Sequence, residues 1–347
     1  MRFYTIQHKF YCGIDLHVDW MYLCVIDAAG EVRLHRNIRT DPKAFLLAVK
    51  PFREDVVVCV ECMFTWYGLA ALCEDEGIPC VLGHALYMRA IHDGQAKNDR
   101  SDSHKIAALL RGGLIPQAYV YLRRLRATRD LWRRRNHLMP KWAELYAHLQ
   151  NTASPSNLSH PVGRIATPQN RRGLLERFDH RCVQKSMAVD VALVDCYDPL
   201  LAALARSIEK SAHGHDPGSL ARLRTIPGVG NILALVMLDE IEQIARFPRV
   251  QACVSSCRVV KRAKESKGQR YGPSGKKIGN AQLQWAFAEA AVLFLKNHEP
   301  APQYLAKLAT RHGKGKALSI LAHKLGRAVY CMLKPQVAFD REKFLAT

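Results

Sequence analysis

No stretch of this chain stays apolar for long. The longest runs, 232–238 and 56–60, fall far short of the roughly 20 residues a membrane-spanning helix needs, so a soluble protein is expected. The first ten residues mix polar and apolar side chains without a basic patch, an apolar stretch or a small-residue cleavage site. Nothing there reads as a secretory signal peptide, so the cytoplasm is the expected compartment. A disulfide framework is missing too, because the 11 cysteines are odd in number and scattered along a large chain, as reduced thiols are. Cys59 and Cys62 have zinc-like spacing, and their partners would have to be a pair such as Cys253 and Cys257. Cys59, however, lies inside the apolar run 56–60 and reads as a buried strand residue. Acidic residues are scarce, with 31 Asp and Glu against 51 Lys and Arg and a formal net charge of +20.

What is present describes a folded protein. Hydrophobic residues make up 48% and charged residues 24%, which excludes disorder or a fibrous repeat, and 347 residues suit two or three domains. The positive excess is uneven. Residues 1–96 hold 9 basic and 12 acidic side chains, 97–150 hold 12 and 4, and 258–280 hold 8 and 1. Two separate basic clusters outside the N-terminal third point to a polyanion, since Lys and Arg at phosphates gain affinity by releasing counterions. A merely solvated basic surface is the alternative for either cluster alone.

From residue 11 the pattern is strand-like over 11–18, 21–26 and 31–38, with a turn at 27–30. Asp41 and Pro42 then open a helix to about 52, and 56–61 reads as a strand buried on both faces. Helix over 65–76, strand over 79–84 and helix over 101–111 follow. Three antiparallel strands followed by alternating helix and strand is the element order of the ribonuclease H fold. Beyond 115 strand signals stop. Apolar residues at three- and four-residue steps over 119–149 predict a long amphipathic helix, with a break allowed at Pro140. Residues 151–163 read as a loop. Residues 174–212, with Leu193, Leu200, Leu201, Leu204 and Ile208, read as a second helix able to pair with the first as a coiled-coil arm, although no sustained heptad is visible. Ile226-Pro227-Gly228-Val229-Gly230 then looks like the turn of a helix-hairpin-helix, where Gly228 and Gly230 could bring backbone N–H groups to a phosphate. The alternative is a tight helix-helix turn and nothing more. The expected organisation is α/β followed by α: a catalytic domain at 1–115, a helical linker at 116–215 and a mostly helical C-terminal domain at 216–347.

Four carboxylates stand out. Asp15 sits mid-strand between Ile14 and Leu16, where a charge is costly without a partner or a metal. Glu61 ends the buried run, and Asp99 and Asp102 are spaced to share one helical face. Such a set can converge on two Mg²⁺ ions that clamp a phosphodiester. Helix capping is the bland alternative for Asp99 and Asp102.

Gly13-Ile14-Asp15-Leu16-His17, Val60-Glu61 and Lys97-Asn98-Asp99-Arg100-Ser101-Asp102 resemble the Asp-Glu-Asp-Asp pattern of the insertion-sequence transposases of the one-ten family. The N-terminal domain of that family is similar to the RuvC Holliday-junction resolvase. The family's C-terminal order, a helix-hairpin-helix, a basic segment with a Ser-Gly-rich turn and a later Gly-Asn, is matched by 226–230, Glu265-Ser266-Lys267-Gly268 and Gly279-Asn280. Lys267 departs from the more usual Ser-Gly-Gly. The resemblance implies metal binding by Asp15, Glu61, Asp99 and Asp102, with Mg²⁺ as the cofactor, and makes Ser266 the nucleophile.

Ser266 lies among Lys264, Lys267 and Arg270, cations that would stabilise an alkoxide and the phosphorane charge. Ser255, Ser256 and Ser274 are its rivals. Nucleic-acid contacts are expected from Arg123, Arg124, Arg133, Arg134, Arg135, Lys264, Lys267, Arg270, Lys276 and Lys277. The resemblance further implies a DNA transposase guided by a structured RNA, working as a homodimer or homotetramer. A hydrolytic junction nuclease that dispenses with the serine, and a non-catalytic helix-hairpin-helix DNA-binding protein, are the competing readings.

Overall fold

The computed structural model describes residues 2–63, 65–91, 98–153, 167–171, 174–211, 216–260, 262–274 and 278–346. It divides into two compact units, Met1–Arg123 and Arg124–Thr347.

The first unit is built on strands β1 (Phe10–Leu16), β2 (Trp20–Asp27), β3 (Val32–Arg39), β4 (Val56–Glu61) and β5 (Cys80–Gly83), in the order β3-β2-β1-β4-β5. The pairs β1–β2 and β2–β3 are antiparallel, whereas β1–β4 and β4–β5 are parallel. Helices α1 (Pro42–Val49), α2 (Trp66–Asp75), α3 (Ala85–Ile91) and α4 (Asp99–Arg111) complete it. The mixed sheet is consistent with the expected RuvC-like α/β domain. Asp41 caps α1 by accepting from the Ala44 amide at 2.9 Å, with Pro42 at the first helical position. Helix α3 was not anticipated.

Strand alternation sends even-numbered β1 residues to one sheet face and odd-numbered ones to the other. Cys12, Ile14, Leu23, Val25, Val58 and Val60 pack with Phe45 of α1 and Leu69 of α2. Tyr11, Cys24, Ile26, Val57 and Cys59 pack with Ile106, Ala107 and Leu110 of α4. Asp15 and Glu61 therefore belong to the α4 face. Gly13, on the same face, shows how near α4 comes: a β-carbon there would overlap the Ser103 carbonyl oxygen and the Ala107 amide nitrogen. Both are backbone atoms of α4, so no side-chain rotation could relieve the overlap.

The second unit contains α5 (Arg123–Ala153), α6 (Pro168–Arg171), α7 (Arg181–Lys210), α8 (Pro217–Leu223), α9 (Asn231–Ile241) and α10 (Val250–Ser256). A hairpin of β6 (Arg262–Ser266) and β7 (Gln269–Ser274) follows, then α11 (Ala281–Asn297), α12 (Ala301–His312), α13 (Lys314–Leu333) and α14 (Arg341–Ala346). Helix α5 runs on through Pro140, so the allowed break does not occur. It lies antiparallel to α7, because Trp142 donates to Asp198 at 2.8 Å while His148 further along bonds the earlier residue Asp190.

Burial along α7 repeats every seven residues, a period that is not visible in the sequence. On α7 the buried residues are Met187, Val194, Leu201 and Ile208, whereas Leu193 and Leu200 are exposed. The repeat hides in the sequence because polar and aromatic residues, Asp190 and Tyr197, hold the positions where a second apolar row is expected. Trp132 of α5 and Ile208 of α7 reach the core around α9, which is buried from Leu233 to Ile241.

Candidate active site

Three of the four acidic residues meet around the end of β1. Ile14 pairs with Val60, so the next residues, Asp15 and Glu61, end up on adjacent parallel strands at neighbouring positions of one face. Glu61 itself is in register with Gly83 of β5. Helix α4, brought in at Gly13, delivers Asp99 and Asp102 from its first turn. Neither acid caps the helix: Asn98 does, its side chain accepting from the Arg100 amide at 2.9 Å. That removes the bland reading and leaves both carboxylates in the first turn, where the helix dipole favours them.

Asp15 is half-buried. Burial raises its pKa above the ordinary carboxylate value, the nearby charges of Asp99 and Asp102 push the same way, and His17 opposes them. The His17 Nε2 lies 3.6 Å from Asp15 and 3.7 Å from Asp99. Among the described residues Asp15, His17 and Asp99 form a group whose ligand atoms all lie within 4.8 Å of one another. Asp102 instead pairs with Lys105 at 3.1 Å. Sequence reasoning missed His17, although its place two residues after Asp15 puts it on the same side of the chain and was signal enough.

Ser266 lies in the second unit, exposed, as the last residue of β6. It is in register with Gln269, so Lys267 and Gly268 alone make the turn. Both have positive φ, 51° and 77°. A two-residue hairpin of this kind favours Asn-Gly or Gly-Gly. Lys267 thus holds a left-handed conformation that costs a residue with a β-carbon about 1–2 kcal/mol. Lys267→Gly is expected to stabilise the hairpin, by up to about 1 kcal/mol once the greater freedom of glycine in the unfolded chain is subtracted. A thermal midpoint that does not rise would count against strain at this turn. The hairpin itself was not foreseen, because 262–274 contains no Val, Ile or Thr to signal a strand.

The basic residues have diverse surroundings. Arg134 is exposed; Arg135 is half-buried, with desolvation lowering its pKa and a buried Nε that has no hydrogen-bond partner among the described residues. Arg123 is exposed and pairs with Asp75 at 2.7 Å, and Arg124 is also exposed. Arg133 bonds Glu240, a fully buried acid in the apolar helix α9, at 2.7 Å, and Arg129 bonds the same carboxylate at 3.0 Å. Asn280 also donates to Glu240 while its own oxygen caps α11. Those cations and hydrogen bonds outweigh burial and lower the Glu240 pKa. Glu240→Ala would leave buried Arg129 without this carboxylate, and a loss of about 3–5 kcal/mol in unfolding free energy is expected by chemical denaturation. An unchanged denaturation midpoint would show that the cluster contributes nothing to stability.

Gly228 has φ 85° and rests against the Leu293 backbone, 2.6 Å from where a β-carbon would stand, so packing alone requires glycine there. Gly230 starts α9 with open space around it. Lys267 is exposed at the turn. Lys264 is in register with Gly272, and Arg270 with Glu265. Lys276 and Lys277, like Lys97 of the acidic motif, lie outside the described residues.

Comparison with known families gives two matches. Residues 12–154 match the DEDD transposase model of the IS110 type, and residues 220–306 match the Transposase IS116/IS110/IS902 family. No curated protein matches the chain. The first match covers all but the first two residues of the sheet, α4 and all four acidic residues, and the second covers the serine hairpin. A DEDD transposase implies use of a divalent metal, and the donors fit one: crowded carboxylates, with Asp15 raised in pKa by burial and by its acidic neighbours, are relieved by a bound cation. The chain belongs to the IS110-type DEDD transposases and is a DNA transposase.

Proposed function

We propose that this transposase cuts and rejoins DNA strands through a covalent phosphodiester on Ser266, with Mg²⁺ held by Asp15, Glu61, Asp99 and Asp102. The observation that carries this reading is the gathering of Asp15, Asp99 and Asp102 on one sheet face, supported by an exposed serine on a basic hairpin. When bound, two such ions supply charge stabilisation to the attacking and leaving oxygens of a phosphoryl transfer. Ser266 Oγ forms the new bond to phosphorus as one bridging oxygen departs. That oxygen leaves as a hydroxyl, and the proton given up by the serine balances it. A hydroxyl from the partner strand then attacks the ester and returns the serine. Lys267, with Lys264 and Arg270 of the same hairpin, offsets the negative charge that develops on the phosphoryl oxygens.

In this reading 1–115 is the catalytic domain, 116–215 the arm and 216–347 the serine-bearing domain. Helices α8 and α9 serve as a helix-hairpin-helix, with Gly228 and Gly230 at a DNA phosphate. Arg123, Arg124, Arg133, Arg134 and Arg135 contribute to the nucleic-acid surface, as do Lys276 and Lys277. A structured RNA encoded beside the gene guides the enzyme to donor and target, and a homodimer or homotetramer completes the site in the cytoplasm. The test is a joining assay in Mg²⁺ with DNA carrying the element's ends, with and without the adjoining transcript. Joined strands that require the transcript are expected. Free ends without joining would replace this reading with the hydrolytic junction nuclease, and joining without the transcript would remove the RNA.

A further inference from the structure

The sheet face that carries Asp15 continues outward past the carboxylates. Asp15 is in register with Tyr22, and Tyr22 with Asn37. The next row on that face is His17, Trp20 and Arg39: the His17 amide donates to the Trp20 carbonyl at 3.0 Å, and Trp20 is in register with Arg39. The row is held in place, since Thr40 Oγ1 donates to the His17 carbonyl at 3.0 Å and the Thr40 amide to the Asp19 carbonyl at 2.9 Å.

Trp20 is 46% exposed, and the Arg39 guanidinium sits over its ring, 5.3 Å from the centroid. Arg39 is exposed, and no ion pair to it is found among the described residues. Exposed indole surface is costly in water, and a guanidinium stacked on it is oriented without being neutralised. One register row away stand carboxylates that would repel any polyanion approaching Asp15. A charge count for residues 1–96 hides this local exception, because it is net acidic.

We propose that Trp20 and Arg39 form a docking platform for the DNA strand whose phosphodiester is presented to the carboxylates. Arg39 takes a backbone phosphate, and Trp20 stacks on an unpaired base of the same strand. The proposal rests on the reading of Asp15, Asp99 and Asp102 as the cleavage site and adds the strand-binding group beside them. Stacking of a base on an aromatic ring tolerates any sequence, which suits a catalytic domain that must accept varied DNA.

The test uses the full chain without divalent metal, so that no strand is cut. Single-stranded DNA carrying 5-iododeoxyuridine, irradiated in the complex, should form an adduct on the Trp20 peptide, and Trp20→Ala should remove it. Trp20→Ala should weaken binding of that DNA roughly tenfold, Trp20→Phe should keep it within roughly threefold, and Arg39→Ala should reduce the salt slope by roughly one. The thermal midpoint of each variant checks folding, and the Phe variant guards against a fault specific to alanine. Unchanged affinity, salt slope and adduct map in Trp20→Ala and Arg39→Ala would overturn the platform. An adduct at Trp20 with RNA and none with DNA would overturn the choice of strand. Failure of strand joining alongside an intact Trp20 adduct would count against the serine and metal reading and leave the platform standing.

Discussion

Asp15→Asn is expected to reduce strand cleavage in Mg²⁺ by a factor of about 10²–10³, equivalent to roughly 3–4 kcal/mol of transition-state stabilisation. Asparagine keeps the shape of the side chain and removes the charge that holds a hard cation. Because Asp15 is half-buried and close to Asp99 and Asp102, its ionised form is disfavoured in the folded protein, and its pKa is raised. Ionisation at neutral pH therefore works against folding when no metal is bound, and the cost shrinks as pH falls through the raised pKa and is gone below the ordinary carboxylate value. The substitution should for the same reason leave the metal-free thermal midpoint unchanged or raise it, with little loss of DNA binding. Loss of activity together with gain of stability distinguishes a metal ligand from a structural acid. Cleavage at the parent rate would remove Asp15 from the reaction.

Ser266→Ala should abolish both strand joining and a protein-DNA adduct. A recombinase conserves the energy of the broken phosphodiester in an ester to the protein, whereas a nuclease surrenders it to water. A substrate with a nick or mismatch that blocks religation should accordingly trap the ester as a band that survives denaturation. Peptide mass analysis should place the nucleotide within residues 265–270. Ser274→Ala should behave like the parent, because Ser274 stands at the far end of β7, in register with Arg262 and away from the turn. An adduct on Ser255, Ser256 or Ser274 would move the nucleophile and leave the transposase assignment intact. Cutting without any adduct, equally fast in Ser266→Ala, would leave a hydrolytic enzyme.

Much of the first unit could be read from the sequence, because each of its signals is local. The continuous apolar run 56–60 reads as a strand buried on both faces, and an acid flanked by buried Ile14 and Leu16 in β1 is too costly to be incidental. The approach of α4 was not legible in the same way, because Gly13 reports it only once the helix is in place: a glycine in a strand has several explanations. The Glu240 cluster was hidden for a similar reason. Its members lie on three helices separated by up to 151 residues, from Arg129 to Asn280, and in sequence Arg129 and Arg133 look like any other part of a basic surface. Charge counting assigns cations to phosphate but does not reveal that two of them share a buried carboxylate. It likewise missed Trp20 and Arg39, whose pairing depends on the β2–β3 register.

The seven-residue burial pattern of α7 also shows that the helix changes partner along its length. A straight α-helix drifts by about 20° per heptad against such a repeat. Over the three intervals from Met187 to Ile208 that accumulates to roughly 60°, enough to swing Ile208 out of the seam that Met187 occupies. All four residues are nonetheless buried, because what covers them changes along the helix: Met187 and Val194 pack with Tyr146 and Leu149 of α5, whereas Ile208 enters the core around α9.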